Sequence, residues 1–135
     1  MFDIKKSVYL NIINKNLPVW NINSFAEYFL QIISIYKKDY VIGCNKIKEE
    51  RNRFYNKLLE IKELNVYKSD ANYFMIKLNK GKAEEIAEYL LDSKKILIKV
   101  LNGKNGFDDN EYIRIAIKSK EENDYLLESI KEYYL

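Results

Sequence analysis

Midway along the chain the spacing of apolar residues changes, and this change limits the fold more than any other feature of the sequence. Up to about residue 62 apolar residues recur in steps of three and four, the repeat of one helix face. From residue 72 onward steps of two appear. Tyr112–Ile117 alternates without a break, with Ile113, Ile115 and Ile117 on one face and Tyr112, Arg114 and Ala116 on the other. A chain that begins with helices and then interleaves strands with helices cannot be an all-helical bundle or a β-sandwich. It predicts an α+β layer, a small sheet covered by helices on one side.

Local signals divide the chain further. Ile4, Val8, Tyr9, Ile12 and Ile13 have helical spacing within residues 1–16, and Pro18 ends that segment. Ser24-Phe25-Ala26-Glu27 reads as a capping box, the Ser24 hydroxyl accepting from the Glu27 amide, and starts a helix expected to reach about Tyr36. A longer helix is expected over residues 39–62, with a stripe of Cys44, Ile47, Arg51, Phe54, Leu58 and Ile61. Asn72–Leu78 reads as a strand with Phe74, Ile76 and Leu78 facing one way, and Val66 and Tyr67 as a short edge strand. A helix over 82–93, a strand over Ile96–Leu101, a glycine-marked loop over 102–110 and the strand Tyr112–Ile117 follow. Ser119-Lys120-Glu121-Glu122 is a second capping box and opens the last helix.

Composition removes whole classes of function. There is no histidine, which excludes His-based triads and His metal sites, and the single Cys44 makes no internal disulfide, which points to a reducing cytoplasm. No segment approaches the roughly 18 apolar residues of a membrane helix, and the start of the chain lacks the features of a signal peptide. The net charge of +3 is spread among interspersed Lys and Glu rather than gathered on a stripe, so neither a nucleic acid nor a membrane is the expected partner. Gly103-Lys104-Asn105-Gly106 has the form of the nucleic-acid clamp of KH domains, but that clamp joins helices and this one joins expected strands. Phosphate loops, dinucleotide fingerprints, paired-cysteine motifs and nucleophile elbows do not occur.

Two arginines stand where arginine is unusual. Arg51 sits in an apolar helical stripe, either with its stem packed and its head reaching an acidic partner or with a functional role. Arg114 sits in mid-strand beside the small Ala116. There it reads either as a planar fork aimed at a carboxylate or phosphate, or as a salt-bridged arginine on an exposed sheet face.

Five segments together carry a resemblance. Pro18-Val19-Trp20-Asn21-Ile22-Asn23-Ser24-Phe25-Ala26 resembles the Pro-(Trp/Tyr)-Asn-Val-Asn-Ser-x-Ala segment of histidinol-phosphate aminotransferases and the similar threonine-phosphate decarboxylases. Glu50-Arg51-Asn52-Arg53 resembles their Glu-Arg-x-Arg helix, and Ser69-Asp70-Ala71-Asn72-Tyr73 their Ser-x-Ala-Asn-Phe strand entry. Ile96–Lys99 with Asn102-Gly103-Lys104 resembles Ile-Leu-Val-Arg…Ser-Gly-Lys, and Tyr112–Ala116 with Glu121-Glu122-Asn123 resembles Tyr-Leu-Arg-Ile-Thr…Glu-Glu-Asn.

The resemblance implies the C-terminal small domain of a fold-type I pyridoxal-phosphate (PLP) aminotransferase over residues 18–135, with 1–17 a helical lead-in from a large domain. It implies that Arg114 binds the substrate's anionic group, that Asn72 lies on the substrate side, and that Asn21 and Asn23 lie near the active site in supporting roles. The complete enzyme is then a PLP-dependent homodimer acting on an amino donor and a phosphorylated or carboxylated acceptor. Two departures bear on this. Nothing in residues 1–17 resembles the family's Ser-Lys…Gly-Leu-x-Gly-Leu-Arg segment, which holds the cofactor lysine, so no catalytic residue and no bound cofactor or metal is expected on this chain alone. Lys118 stands where the family commonly has glycine. The competing expectations are an interaction module that keeps the fold without the chemistry and, more distantly, an RNA-binding α+β domain.

Overall fold

A computed structural model describes residues 15–16, 22–107 and 111–135. The chain divides into two compact units, Met1–Val41 and Ile42–Leu135. The expected helix over 1–16 and the stop at Pro18 lie outside the described residues, apart from residues 15 and 16, which are helical.

In the first unit, helix α1 spans Ser24–Ile32 and stops four residues short of Tyr36, in a turn over residues 33–36. Its cap is not Ser24. Asn23 is the N-cap, its side-chain oxygen accepting from the Ala26 amide at 2.9 Å. An Asx side chain caps as well as serine does, so where the two are adjacent the backbone decides, and Asn23 is the residue with extended angles. Helix α2 spans Lys37–Leu58, and the boundary between the units falls within it.

The second unit contains α2 from Ile42 on and the sheet. Strands β1 (Leu64–Val66), β2 (Tyr73–Leu78), β3 (Lys99–Val100) and β4 (Tyr112–Ala116) form one sheet in the order β1-β2-β4-β3, antiparallel throughout. Helices α3 (Ala83–Lys94) and α4 (Lys120–Tyr134) complete the unit, an α+β layer as the change of period implies. Alternation in β2 and β4 places Phe74, Ile76, Ile113 and Ile115 on the covered face, each at most 1% exposed, where they meet Phe54, Ile86 and Ile130 from the helices. Burying side chains of this size contributes about 1.5–3 kcal/mol each. The α2 stripe enters this core only at Phe54 and Leu58. Ile47 is exposed, and Ile61 is buried beyond the helix end.

The expected strand Ile96–Leu101 shrinks to Lys99–Val100. The residues after α3 are committed to closing the helix. Lys95 takes the left-handed conformation (φ 58°), its amide donates to Leu91 O, and the Ile96 amide donates to Leu90 O. Pairing with β4 starts only once the chain has left that cap. The other end of α3 is unusual too. Lys82 at the N-cap offers no side-chain acceptor, and the carboxylate of Glu111 accepts from the Ala83 amide at 2.8 Å instead. Helix α4 has both halves of the expected Ser119–Glu122 capping box.

Candidate functional site

The face of the sheet opposite the core carries the outward residues of each strand. Register places Tyr73 across from Ala116, Met75 across from Arg114, and Lys77 across from Tyr112. On the other side of β4, Lys99 lies directly opposite Arg114. Arg114 is exposed, and its guanidinium carbon lies 5.1 Å from the centre of the Tyr73 ring. Tyr112, half-buried on the same face, meets Phe107 edge-on with centroids 5.0 Å apart and Tyr67 at 6.3 Å. The hydrogen bond between the Tyr67 and Tyr112 hydroxyls pushes the Tyr67 phenol above its ordinary value.

Charge makes this face a candidate site. Like charges directly opposite each other across an antiparallel pair repel. Among the described strand residues, the outward positions include Arg114, Lys99 and Lys77 but no carboxylate. Several other cations of the second unit have carboxylate partners: Arg53 has Glu50 and Asp124, both at 2.7 Å, Lys82 has Glu111 at 2.9 Å, and Lys118 has Glu122 at 2.6 Å. A cleft of about 530 Å³ is lined by Lys46, Glu49, Glu50, Arg53 and Lys118–Lys120, and its Arg53 and Lys118 have carboxylate partners. Arg114 and Lys99 face each other with no carboxylate among the described outward strand residues, which makes the pair a candidate for an external anion.

The surrounding contacts hold both ends of β4. At its end, the Ile117 amide donates to the Asn72 carbonyl at 2.8 Å, so Asn72 is placed by its backbone while its side chain stays exposed. Arg51 fixes the approach to Asn72: its guanidinium donates to the carbonyls of Asp70 and Ala71 and lies 3.6 Å from the Asp70 carboxylate. Arg51 is therefore a packed arginine, as one of its two readings held, but with main-chain carbonyls as its first partners. Just beyond β4, the buried Asn123 donates to Glu50 at 2.8 Å and to the Lys118 carbonyl at 3.1 Å, and accepts from the Lys118 amide at 3.0 Å. Arg53 adds a two-toothed grip on Glu50, whose carboxyl is held below its usual range chiefly by that bond. At the start of β4, Glu111 collects the Ala83 amide and the Asn102 amide at 2.8 Å each and Lys82 at 2.9 Å, which brings its carboxyl down to about 2. Asn102 Oδ1 in turn accepts from the Tyr112 amide at 3.2 Å.

Of the residues expected at the site, Arg114 lies in the middle of β4, while Asn72 lies just before β2, its carbonyl accepting from the Ile117 amide. Asn23 is occupied as the cap of α1 in the other unit, and Asn21 lies outside the described residues. Sequence reasoning passed over Lys99 and Tyr73. For Lys99 a signal existed: in the segment resembling Ile-Leu-Val-Arg it occupies the arginine position.

A family model described as Aminotransferase class I and II matches residues 44–130. The chain belongs to that family. Its matches include a histidinol-phosphate aminotransferase of Clostridium kluyveri, 31% identical over 132 residues, covering 97% of this chain and 36% of that protein. An L-serine phosphate decarboxylase of Campylobacter jejuni is 32% identical over 125 residues, covering 89% of this chain and 31% of the relative. Among solved structures, a decarboxylase from Sulfurospirillum multivorans superposes with a TM-score of 0.81 at 30% identity, covering 93% of this chain and 36% of that one. These matches include enzymes of the kinds whose motifs the sequence resembles, a histidinol-phosphate aminotransferase and an L-serine phosphate decarboxylase. The chain spans about a third of the length of these relatives. Among the described residues no helix is long and apolar enough to cross a membrane, and no group of acidic, Cys or His side chains is placed to hold a metal.

Proposed function

We propose that residues 18–135 are the substrate-gripping C-terminal small domain of a PLP-dependent enzyme that acts on phosphorylated amino substrates, with residues 1–17 leading in from the large domain. The observation that carries this reading is the exposed Arg114 opposite Lys99, with no carboxylate among the described outward strand residues. The planar guanidinium binds one anionic group two-toothed and the ammonium supplies a point charge for a second. A substrate with both a carboxylate and a phosphate fits this arrangement, and the relatives are named for phosphorylated amino compounds. Asn72 supports the rim of the site. The same grip serves transamination and decarboxylation alike.

PLP needs an amine free to lose its proton, a carboxylate for the ring nitrogen and a cradle for its phosphate. Supporting the reading that this chain does not hold it, nothing in residues 1–17 resembles the family's Ser-Lys…Gly-Leu-x-Gly-Leu-Arg segment. In this reading the cofactor is held by the large domain of the complete enzyme, a homodimer, and the present chain grips substrate without turning it over.

Two titrations test the proposal. With O-phospho-L-serine, the side-chain Nε–H resonance of Arg114 is expected to shift saturably, and Arg114→Ala to abolish binding. With PLP, no absorbing adduct should survive gel filtration. Phosphoserine binding untouched by Arg114→Ala, or a retained PLP adduct that turns over an amino donor, would sink it.

A further inference from the structure

We infer that Tyr73 is a positioning residue for Arg114, holding the guanidinium so that its donor edge faces the substrate anion; this rests on the reading of Arg114 given above. Tyr73 does not oppose Arg114 directly. It pairs with Ala116, and Arg114 lies two residues along β4, on the diagonal. A diagonal neighbour is within reach of an aromatic ring and a long side chain. The methyl group of Ala116 leaves room for the Tyr73 ring to lean along the sheet, and the guanidinium carbon 5.1 Å from the ring centre places the cation against the aromatic ring.

The core does not need this ring. Tyr73 is 40% exposed, and the inward residues of the strand are Phe74, Ile76 and Leu78. The ring restrains a side chain that otherwise samples many rotamers and leaves the in-plane N–H groups free to donate. Restraint of this kind improves affinity by reducing what is lost on binding. It also counters the repulsion from Lys99, which would otherwise turn the guanidinium outward.

The test uses the 135-residue chain, ¹⁵N-labelled, with O-phospho-L-serine as the probe and inorganic phosphate as a second. In the wild type the Arg114 Nε–H proton should be displaced upfield by the ring. Tyr73→Ala should remove that displacement and weaken the probe about three- to fivefold, as expected for a partly exposed cation–π contact. The urea midpoint should stay within error. Tyr73→Phe keeps the ring face and should restore both signals. Tyr73→Leu keeps bulk and strand preference without the π face and should behave as Tyr73→Ala. If Tyr73→Leu or Tyr73→Ala binds the probe as the wild type does while Arg114→Ala does not, the positioning role is wrong and the arginine site stands. If Arg114→Ala also binds as the wild type does, the site itself is wrong and the positioning role falls with it.

Discussion

Removing the Glu111 carboxylate should cost the second unit stability in a way that depends on pH. The side chain is mostly covered and makes three contacts: the Ala83 amide at the start of α3, the Asn102 side chain, and Lys82. Losing a helix N-cap acceptor costs typically about 1 kcal/mol, and losing the bond from Asn102, whose amide keeps Glu84 as a second partner, adds about 0.5–1. The Lys82 ion pair adds little, because that amine is well exposed and screened. Glu111→Ala should therefore lower stability by about 1.5–2 kcal/mol at pH 7. Glu111→Gln keeps an acceptor but loses the charge favoured at a helix start, so about 1 kcal/mol is expected. The folded-state carboxyl is depressed to about 2 from an ordinary 4.5. Its contribution is thus full above pH 4.5 and fades as pH falls from 4.5 towards 2. Urea unfolding of wild type and Glu111→Ala should show a clear gap at pH 7 and a much smaller one near pH 2.5. A gap of equal size at both pH values, or none at pH 7, would refute the assignment of Glu111 as the remote cap of α3.

Three further outcomes follow from the same contacts. Asn123→Ala leaves the Lys118 amide and the Glu50 carboxylate short of partners in a buried place and should cost about 2–3 kcal/mol in urea unfolding. Arg51→Ala removes the donor to both carbonyls, so amide hydrogen exchange should speed up over residues 70–72 while the Phe74–Ile115 core stays protected. Arg114→Ala should change stability by less than about 0.5 kcal/mol, because the side chain is exposed. In a complete enzyme built on this domain it should lower kcat/KM on the order of a hundredfold, with cofactor absorbance unchanged.

The legible parts of the fold were those set by local rules. Period two in Tyr112–Ile117 assigned every residue of β4 to its observed face, and Ser119–Glu122 capped α4 as read. Other parts were decided by contacts or backbone angles that the local pattern does not carry. Lys82 has no acceptor to cap α3, and Glu111, far along the chain, supplies one. Ile96–Ile98 has the composition of a strand, but closing α3 through Lys95 keeps it from pairing. Ser24 lost the cap to its neighbour Asn23 because two good capping residues in succession leave the choice to the backbone. The outward position of Arg114 was legible from alternation, which left its role open between two readings, and the family resemblance supplied the anion-binding one. Lys99 and Tyr73 were not legible, because they reach Arg114 through strand register, and register is a property of pairing that no single strand's sequence carries.

The same register explains how a small sheet holds a site at little cost to its core. In β4 the inward isoleucines carry the packing and the outward residues carry the charge, so neither set constrains the other. The polar contacts that stabilise the strand sit at its two ends, Glu111 and Asn102 before it and Lys118 and Asn123 after it, all away from the middle position that Arg114 occupies. Several segments shared with the family thus divide by role. Glu50, Arg53 and Asn123 hold the frame, while Arg114, and Lys99 across from it, face outward with no carboxylate beside them. Two cations set opposite each other are a standing electrostatic cost to the free domain. An anion that bridges them removes that cost and gains charge-assisted hydrogen bonds together. On the proposed function, the site would bind through charge that the described strand residues leave uncompensated.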